Sequence, residues 1–234
     1  MMELNMNFKL KTMQEKLKYF KIAKELNANH HDLLVKKKLH FRGNINSFSL
    51  ISLAEETAEI GFSNLKDKIE AEDLLKNPIH LDKPKRDTPE KVLQAWIINY
   101  SMNNNDMLPF GENLTFLTSE LVLPSKEEYK LSPAKRDLRN DVLGIDDKNN
   151  LCIIELKSAR DNEVKKQTLE FEKVVVNEPE FFLELVHLFT GKAWNKKIRK
   201  ISVWPNHEGK LRTQKHIEVE EINYKESGGE FTFN

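Results

Sequence analysis

The stretch RNDVLGIDDKNNLCIIELKSARD, residues 139–161, holds two apolar runs joined by a polar turn, and the second run carries Glu155 and Lys157. Side chains alternate faces along a strand, so Leu151, Ile153, Glu155 and Lys157 share one face while Cys152, Ile154 and Leu156 take the other. A strand that is apolar on both faces is a central one, covered on both sides. Ionised groups leave water in such a place only at a large cost, unless they are paired with one another or with a metal. Glu155 therefore needs a partner.

The preceding strand offers Asp141 and Asp146, fourteen and nine residues before Glu155. A hairpin centred on Lys148 has an odd-length loop such as Asp147-Lys148-Asn149, with Asn149 or Asn150 suited to the left-handed conformation that three-residue loops need. In that register Asp141 stands directly opposite Glu155, on its face, and Asp146 does not. A β-bulge would shift the count. Two carboxylates on adjacent strands with an ammonium two residues on form the pattern of a Mg²⁺ site, because magnesium keeps several waters and takes one or two protein carboxylates beside a substrate phosphate. A structural Asp-Lys or Glu-Lys ion pair at a strand end explains the same spacing.

The rest of the chain supplies a frame. Apolar residues at spacings of three and four predict a helix over 10–26, and two short helices are expected to start from Ser52 and Ser63. The proline-rich, basic segment 77–89 is the expected linker, dividing a mostly helical N-terminal accessory region, 1–84, from a domain spanning 85–234. Thr88-Pro89 opens a helix with Leu93, Trp96, Ile97 and Tyr100 facing the core. Strands follow at 113–124, 139–146 and 151–158, then helices over 162–177 and from Glu178 to a stop at Gly191, then strands at 197–205 and 216–224. The order from residue 88 is α-β-β-β-α-α-β-β.

Arg139 and Asp141 in one strand, Glu155 and Lys157 in the next, and Gln167 with Phe171 in the following helix resemble the PD-(D/E)XK nuclease superfamily, in its RecB-type and NucS-type branch. The resemblance covers roughly residues 88–176, with 197–206 added by strand order. It implies an α/β fold of the restriction-endonuclease-like kind, a mixed central sheet flanked by helices, and a Mg²⁺-dependent nuclease hydrolysing phosphodiester bonds, with DNA the expected substrate and Mn²⁺ a substitute metal. It implies that Asp141 and Glu155 bind the cation, that Lys157 is the catalytic lysine, that Gln167 lines the site, and that Glu90, in the first turn of its helix, assists. Arg139 and Arg160 are the expected phosphate contacts. Phe171 stands where the family usually has tyrosine, Leu138 and Asn140 replace a glycine and an apolar residue, and 125–138 reads as an insertion. The alternative is a catalytically silent protein of this fold that binds nucleic acid or a protein partner.

Composition narrows the partners. Lys+Arg and Asp+Glu balance at 37 each, so any anion-binding surface must be local. Residues 1–42 are locally basic, which the solvated face of a helix explains. The single cysteine, Cys152, excludes an intrachain disulfide framework and reads as a core thiol. No P-loop or nucleophile-elbow motif occurs. Without a signal-type segment or a run of about 18 apolar residues, the expected setting is cytoplasmic with no membrane contact. A homodimer is left open, since paired cuts in duplex DNA often require two active sites.

Overall fold

The computed structural model describes residues 11–54, 64–65, 67–76, 88–111, 113–123, 138–159, 163–206 and 218–234. The chain divides into two units, Met1–Ala95 with Leu121–Arg139, and Trp96–Glu120 with Asn140–Asn234.

The first unit begins with α1, Met13–Asn29. Thr12 closes its N-terminus: the Thr12 hydroxyl accepts from the Glu15 N–H while the Glu15 carboxylate takes the Thr12 N–H, so two otherwise orphaned donors are satisfied. Leu17, Phe20, Ala23 and Leu26 form the buried stripe that the sequence spacing predicts. After α2, His31–Lys37, come β1, Leu39–Gly43, and β2, Phe48–Ser52, paired antiparallel, with the two-residue β3, Asn64–Leu65, on the far side of β2. This sheet is not legible from the sequence. β1 and β2 are buried at every position, which erases the alternation that marks a strand. Ser52 ends β2 and caps no helix. The next helix, α3, runs over Lys68–Lys76 and is capped by Asp67, whose carboxylate accepts from the Glu70 N–H, so the expected start at Ser63 is displaced by β3. Residues 55–63 and the expected linker through 87 lie outside the described residues.

Gly43 lets α1 lie against β1. A Cβ there would sit 2.6 Å from the Phe20 Cα, a backbone atom that cannot step aside. Gly43→Ala should therefore destabilise the protein by about 1–3 kcal/mol in urea unfolding, the usual scale of overpacking. On the same strand, burial and the Arg42 guanidinium push the pKa of His40 down to about 3. His40 is neutral in the fold, whereas the unfolded chain takes up a proton below its ordinary value of 6.5. Stability should thus fall as pH drops from 6.5 toward 3, by up to about 1.4 kcal/mol per pH unit. Urea midpoints at pH 7.5 and 5 test this, and His40→Leu should flatten the slope.

The sheet that carries the carboxylates has six strands in the order β4-β5-β6-β7-β8-β9. They are β4, Thr115–Leu123; β5, Leu138–Ile145; β6, Leu151–Leu156; β7, Ile198–Pro205; β8, Glu220–Ser227; and β9, Glu230–Phe233. Helix α4, Pro89–Asn103, precedes them, and α5, Glu163–Asn177, and α6, Pro179–Thr190, form the crossover between β6 and β7. That crossover makes β6 and β7 parallel, while β5–β6 and β8–β9 are antiparallel, giving a mixed sheet. The predicted order of elements is present, with α4 opening at Pro89 and α6 stopping at Gly191, φ 69°. One strand is added: the chain reverses at Gly228-Gly229, both at positive φ, to form β9. On α4, Leu93 and Ile97 are fully buried, but Trp96 and Tyr100 are half-buried and stack on one another at 5.4 Å. Trp96 also packs against Phe231 and Phe233 of β9. No helix among the described residues is long and apolar enough to cross a membrane.

Candidate functional site

β5 and β6 pair Val142 with Ile154, Leu143 with Ile153, Gly144 with Cys152 and Ile145 with Leu151, a bulge-free register centred on Lys148. The Asp146 N–H bonds Asn150 O at 3.1 Å, the Asn149 N–H bonds Asp146 O at 3.0 Å, and Asn149 takes φ 61°. This is a three-residue loop with a left-handed asparagine at its end. Asp141 and Glu155 are the next residues on the two strands, just past the last paired residues. β6 lies between two strands and is buried at all its positions, Cys152 included.

The pairing stops at Val142 and Ile154, and there side chains take over as partners of the backbone. The Leu156 N–H donates to Asp141 Oδ2 at 2.8 Å. The Asn140 amide nitrogen donates to Ile154 O at 3.1 Å and to Glu155 Oε1 at 3.3 Å. Lys157, the first residue past β6, continues the pairing with β7 through its N–H to Val203 O at 2.9 Å, and its carbonyl accepts from the Tyr224 hydroxyl at 3.4 Å. The backbone of Lys157 is thus held on both sides while its side chain stays half-buried.

Glu155 is only 3% exposed. Burial raises its pKa well above the ordinary 4.5, and the Asp141 charge raises it further, while the Lys157 ammonium and the Asn140 hydrogen bond act the other way. The repulsion between the Asp141 charge and an ionised Glu155 is relieved when Glu155 keeps its proton. A divalent cation between the two carboxylates removes the same repulsion more completely. Among the described residues no group of three or more His, Cys, Asp or Glu side chains is placed to hold a metal. Two carboxylates without a third protein ligand suit a hard cation that keeps its waters, and not a closed zinc cage.

The other expected residues are placed less decisively. Gln167 lies on α5, which packs on β6 and follows it in the chain, and its Oε1 is buried with no hydrogen-bond partner among the described residues. Glu90 is half-buried in the first turn of α4 and Arg139 is exposed on β5; both belong to the first unit. Arg160 lies outside the described residues. Phe171 is fully buried and packs edge-on against Phe182, 6.2 Å between ring centres, so the aromatic body serves the core. Asn140 is the residue that sequence reasoning missed as a participant. The only signal was a polar side chain on a strand face otherwise occupied by Val142 and Gly144.

Asp146, the carboxylate that the register sets aside, builds the turn. It accepts from the N–H groups of Lys148 and Asn150, from the Asn150 amide, and from Arg199 at 3.1 Å. Burial pushes its pKa up, but the bonds from Asn150 and Arg199 outweigh this and hold it below the ordinary 3.8. Around it lies a polar cleft of about 520 Å³ lined by Asn113, Asp147, Lys148 and Arg199 among others, at the turn end of the hairpin and including none of Asp141, Glu155 or Lys157. Asp146→Ala should cost about 3 kcal/mol in unfolding experiments, because it strips four donors of their acceptor. It should leave any chemistry at Asp141 and Glu155 in place.

No protein-family model matches the chain, and no curated protein matches it.

Proposed function

We propose that this chain is a Mg²⁺-dependent nuclease of the PD-(D/E)XK kind, hydrolysing phosphodiester bonds in DNA. The observation that supports the reading is at the end of the β5–β6 hairpin, where the Asp141 carboxylate takes the Leu156 N–H and its charge acts on the buried Glu155, with Lys157 two residues on. A mere ion pair needs one carboxylate and one ammonium. Here a second carboxylate is held against the first, at a cost that a cation would remove.

Asp141 and Glu155 would hold Mg²⁺, with Mn²⁺ a substitute. When bound, the cation supplies charge stabilisation at the phosphoryl group and a more acidic water. The chain's own groups do the rest. The Leu156 N–H fixes the Asp141 carboxylate in orientation. The Lys157 ammonium, on a backbone pinned by Val203 and Tyr224, would hydrogen-bond the attacking water and offset negative charge on the phosphate as the bond to the leaving sugar oxygen breaks. The unpartnered Gln167 oxygen, on the helix that packs on β6, would suit a water donor, and Arg139 and Arg160 would contact backbone phosphates.

Supercoiled and branched DNA incubated with Mg²⁺, Mn²⁺ or a chelator, alongside calorimetry for metal binding, tests the proposal. Cleavage should require the metal, and Asp141→Asn should lose both cleavage and metal affinity. If neither DNA nor RNA is cut and no metal binds, the reading is wrong. Metal-independent DNA binding without cleavage would point to a catalytically silent binder.

A further inference from the structure

We infer that Asn140 is a positioning residue for Glu155, turning one carboxylate oxygen inward so that the other is left for the cation; this rests on the function proposed above. Three observations carry it. First, Asn140 is fully buried, on a strand whose neighbouring inward positions are Val142 and Gly144. An apolar residue would suit such a place better, because a buried primary amide must have its hydrogen bonds met.

Second, the orientation of the amide is determined by its surroundings. The atom lying 3.1 Å from Ile154 O and 3.3 Å from Glu155 Oε1 faces a backbone carbonyl, which can only accept, so it must be the NH₂ group. One amide therefore joins the backbone of β6 to the side chain that β6 projects. Asn140 ties Glu155 Oε1 to the strand, and the Leu156 N–H does the same for Asp141 Oδ2. Each of the two carboxylates thus has one oxygen tethered to the end of β6.

Third, the Asn140 Oδ1 is buried and has no hydrogen-bond partner among the described residues. A neutral buried acceptor on the same amide that bonds Glu155 suits a hydrogen donor that arrives with the cation. Mg²⁺ keeps several of its waters, and each brings O–H groups that need acceptors. A cation-bound water donating to Oδ1 would satisfy it and connect the amide to both the cation and Glu155.

Groups that orient metal ligands typically change affinity by about 10–100-fold when removed. Asn140→Leu keeps the approximate shape and removes both polar atoms. Its Mg²⁺ dissociation constant, measured by calorimetry, should rise by about 10–100-fold. Its melting temperature in chelator should stay level or rise, and kcat at saturating Mg²⁺ should change less than the metal constant does. A Mg²⁺ affinity within about twofold of wild type, which is under 0.5 kcal/mol, overturns the inference. So does a weakened affinity accompanied by an equal loss of metal-free stability, since that marks a purely structural residue. Should the leucine variant fail to fold, Asn140→Val, smaller and suited to a strand, is read by the same two measurements. Wild-type protein that binds neither Mg²⁺ nor Mn²⁺ overturns the proposed function and this inference together. Wild-type binding with an unchanged Asn140 variant overturns the inference alone.

Discussion

On the function proposed above, Lys157→Ala should lower Mg²⁺-dependent cleavage of DNA by roughly a thousandfold or more, while Mg²⁺ should still bind with wild-type affinity or slightly better. The direction follows from where the ammonium sits. It acts electrostatically on the buried Glu155, opposing the effects of burial and of Asp141. Removing it takes a cation away from the place where negative charge develops in hydrolysis, yet it deletes neither carboxylate. Single-turnover rates at saturating metal, read beside calorimetric affinities, separate these effects. Asp141→Asn should lose both rate and affinity, and Asp146→Ala should lose stability with the rate kept. If Lys157→Ala cuts as fast as wild type, the lysine is only a partner of Glu155, and the nuclease mechanism loses its central residue.

Glu155→Gln has the second large effect, and it moves activity and stability in opposite directions. Glu155 is buried and shares its environment with Asp141, so ionisation opposes folding. A carboxyl whose folded pKa is raised holds its proton more tightly in the fold. Stability therefore declines as pH rises above the ordinary 4.5 and levels off once the folded value is passed. Glutamine removes that penalty and keeps the shape. At neutral pH in chelator the variant should be more stable by about 1–4 kcal/mol, the range seen when buried charges give way to neutral groups. At roughly 3 °C per kcal/mol for a chain of this size, the rise in Tm is easily measured. Mg²⁺ at about 100 times its dissociation constant should stabilise wild type by nearly 3 kcal/mol and Glu155→Gln hardly at all. A variant less stable than wild type without metal would mean that Glu155 is a structural ligand of Asn140 and Lys157, and not a group held in place for a cation.

Much of the chain from residue 88 onward was legible because its signals are local. Thr88-Pro89 marks a helix start by backbone chemistry alone, and Gly191 marks a stop. The loop over Asp147-Lys148-Asn149 places its left-handed residue at an asparagine, and that choice sets the register of the two strands. Where signals were lost, a physical cause is visible. β1 and β2 are buried on both faces, and their inward His40 and Arg42 read as surface residues. β3 is too short to show a period, and β9, the four residues after the Gly228-Gly229 reversal, is also short.

The sequence by itself determined that Glu155 lies on a strand buried on both faces, with Lys157 just beyond it, and that a hairpin centred on Lys148 brings Asp141 toward Glu155. Both follow from alternation and loop length, which are properties of neighbouring residues. Only the tertiary structure decided what each side chain does. Asp146 became a turn anchor because Arg199, far along the chain on β7, reaches it. Asp141 and Asn140 became tethers of β6 because the β5–β6 pairing ends at Ile154, and the backbone there takes side-chain partners. A polar group's role depends on which partners the fold brings to it, and those partners are distant in sequence.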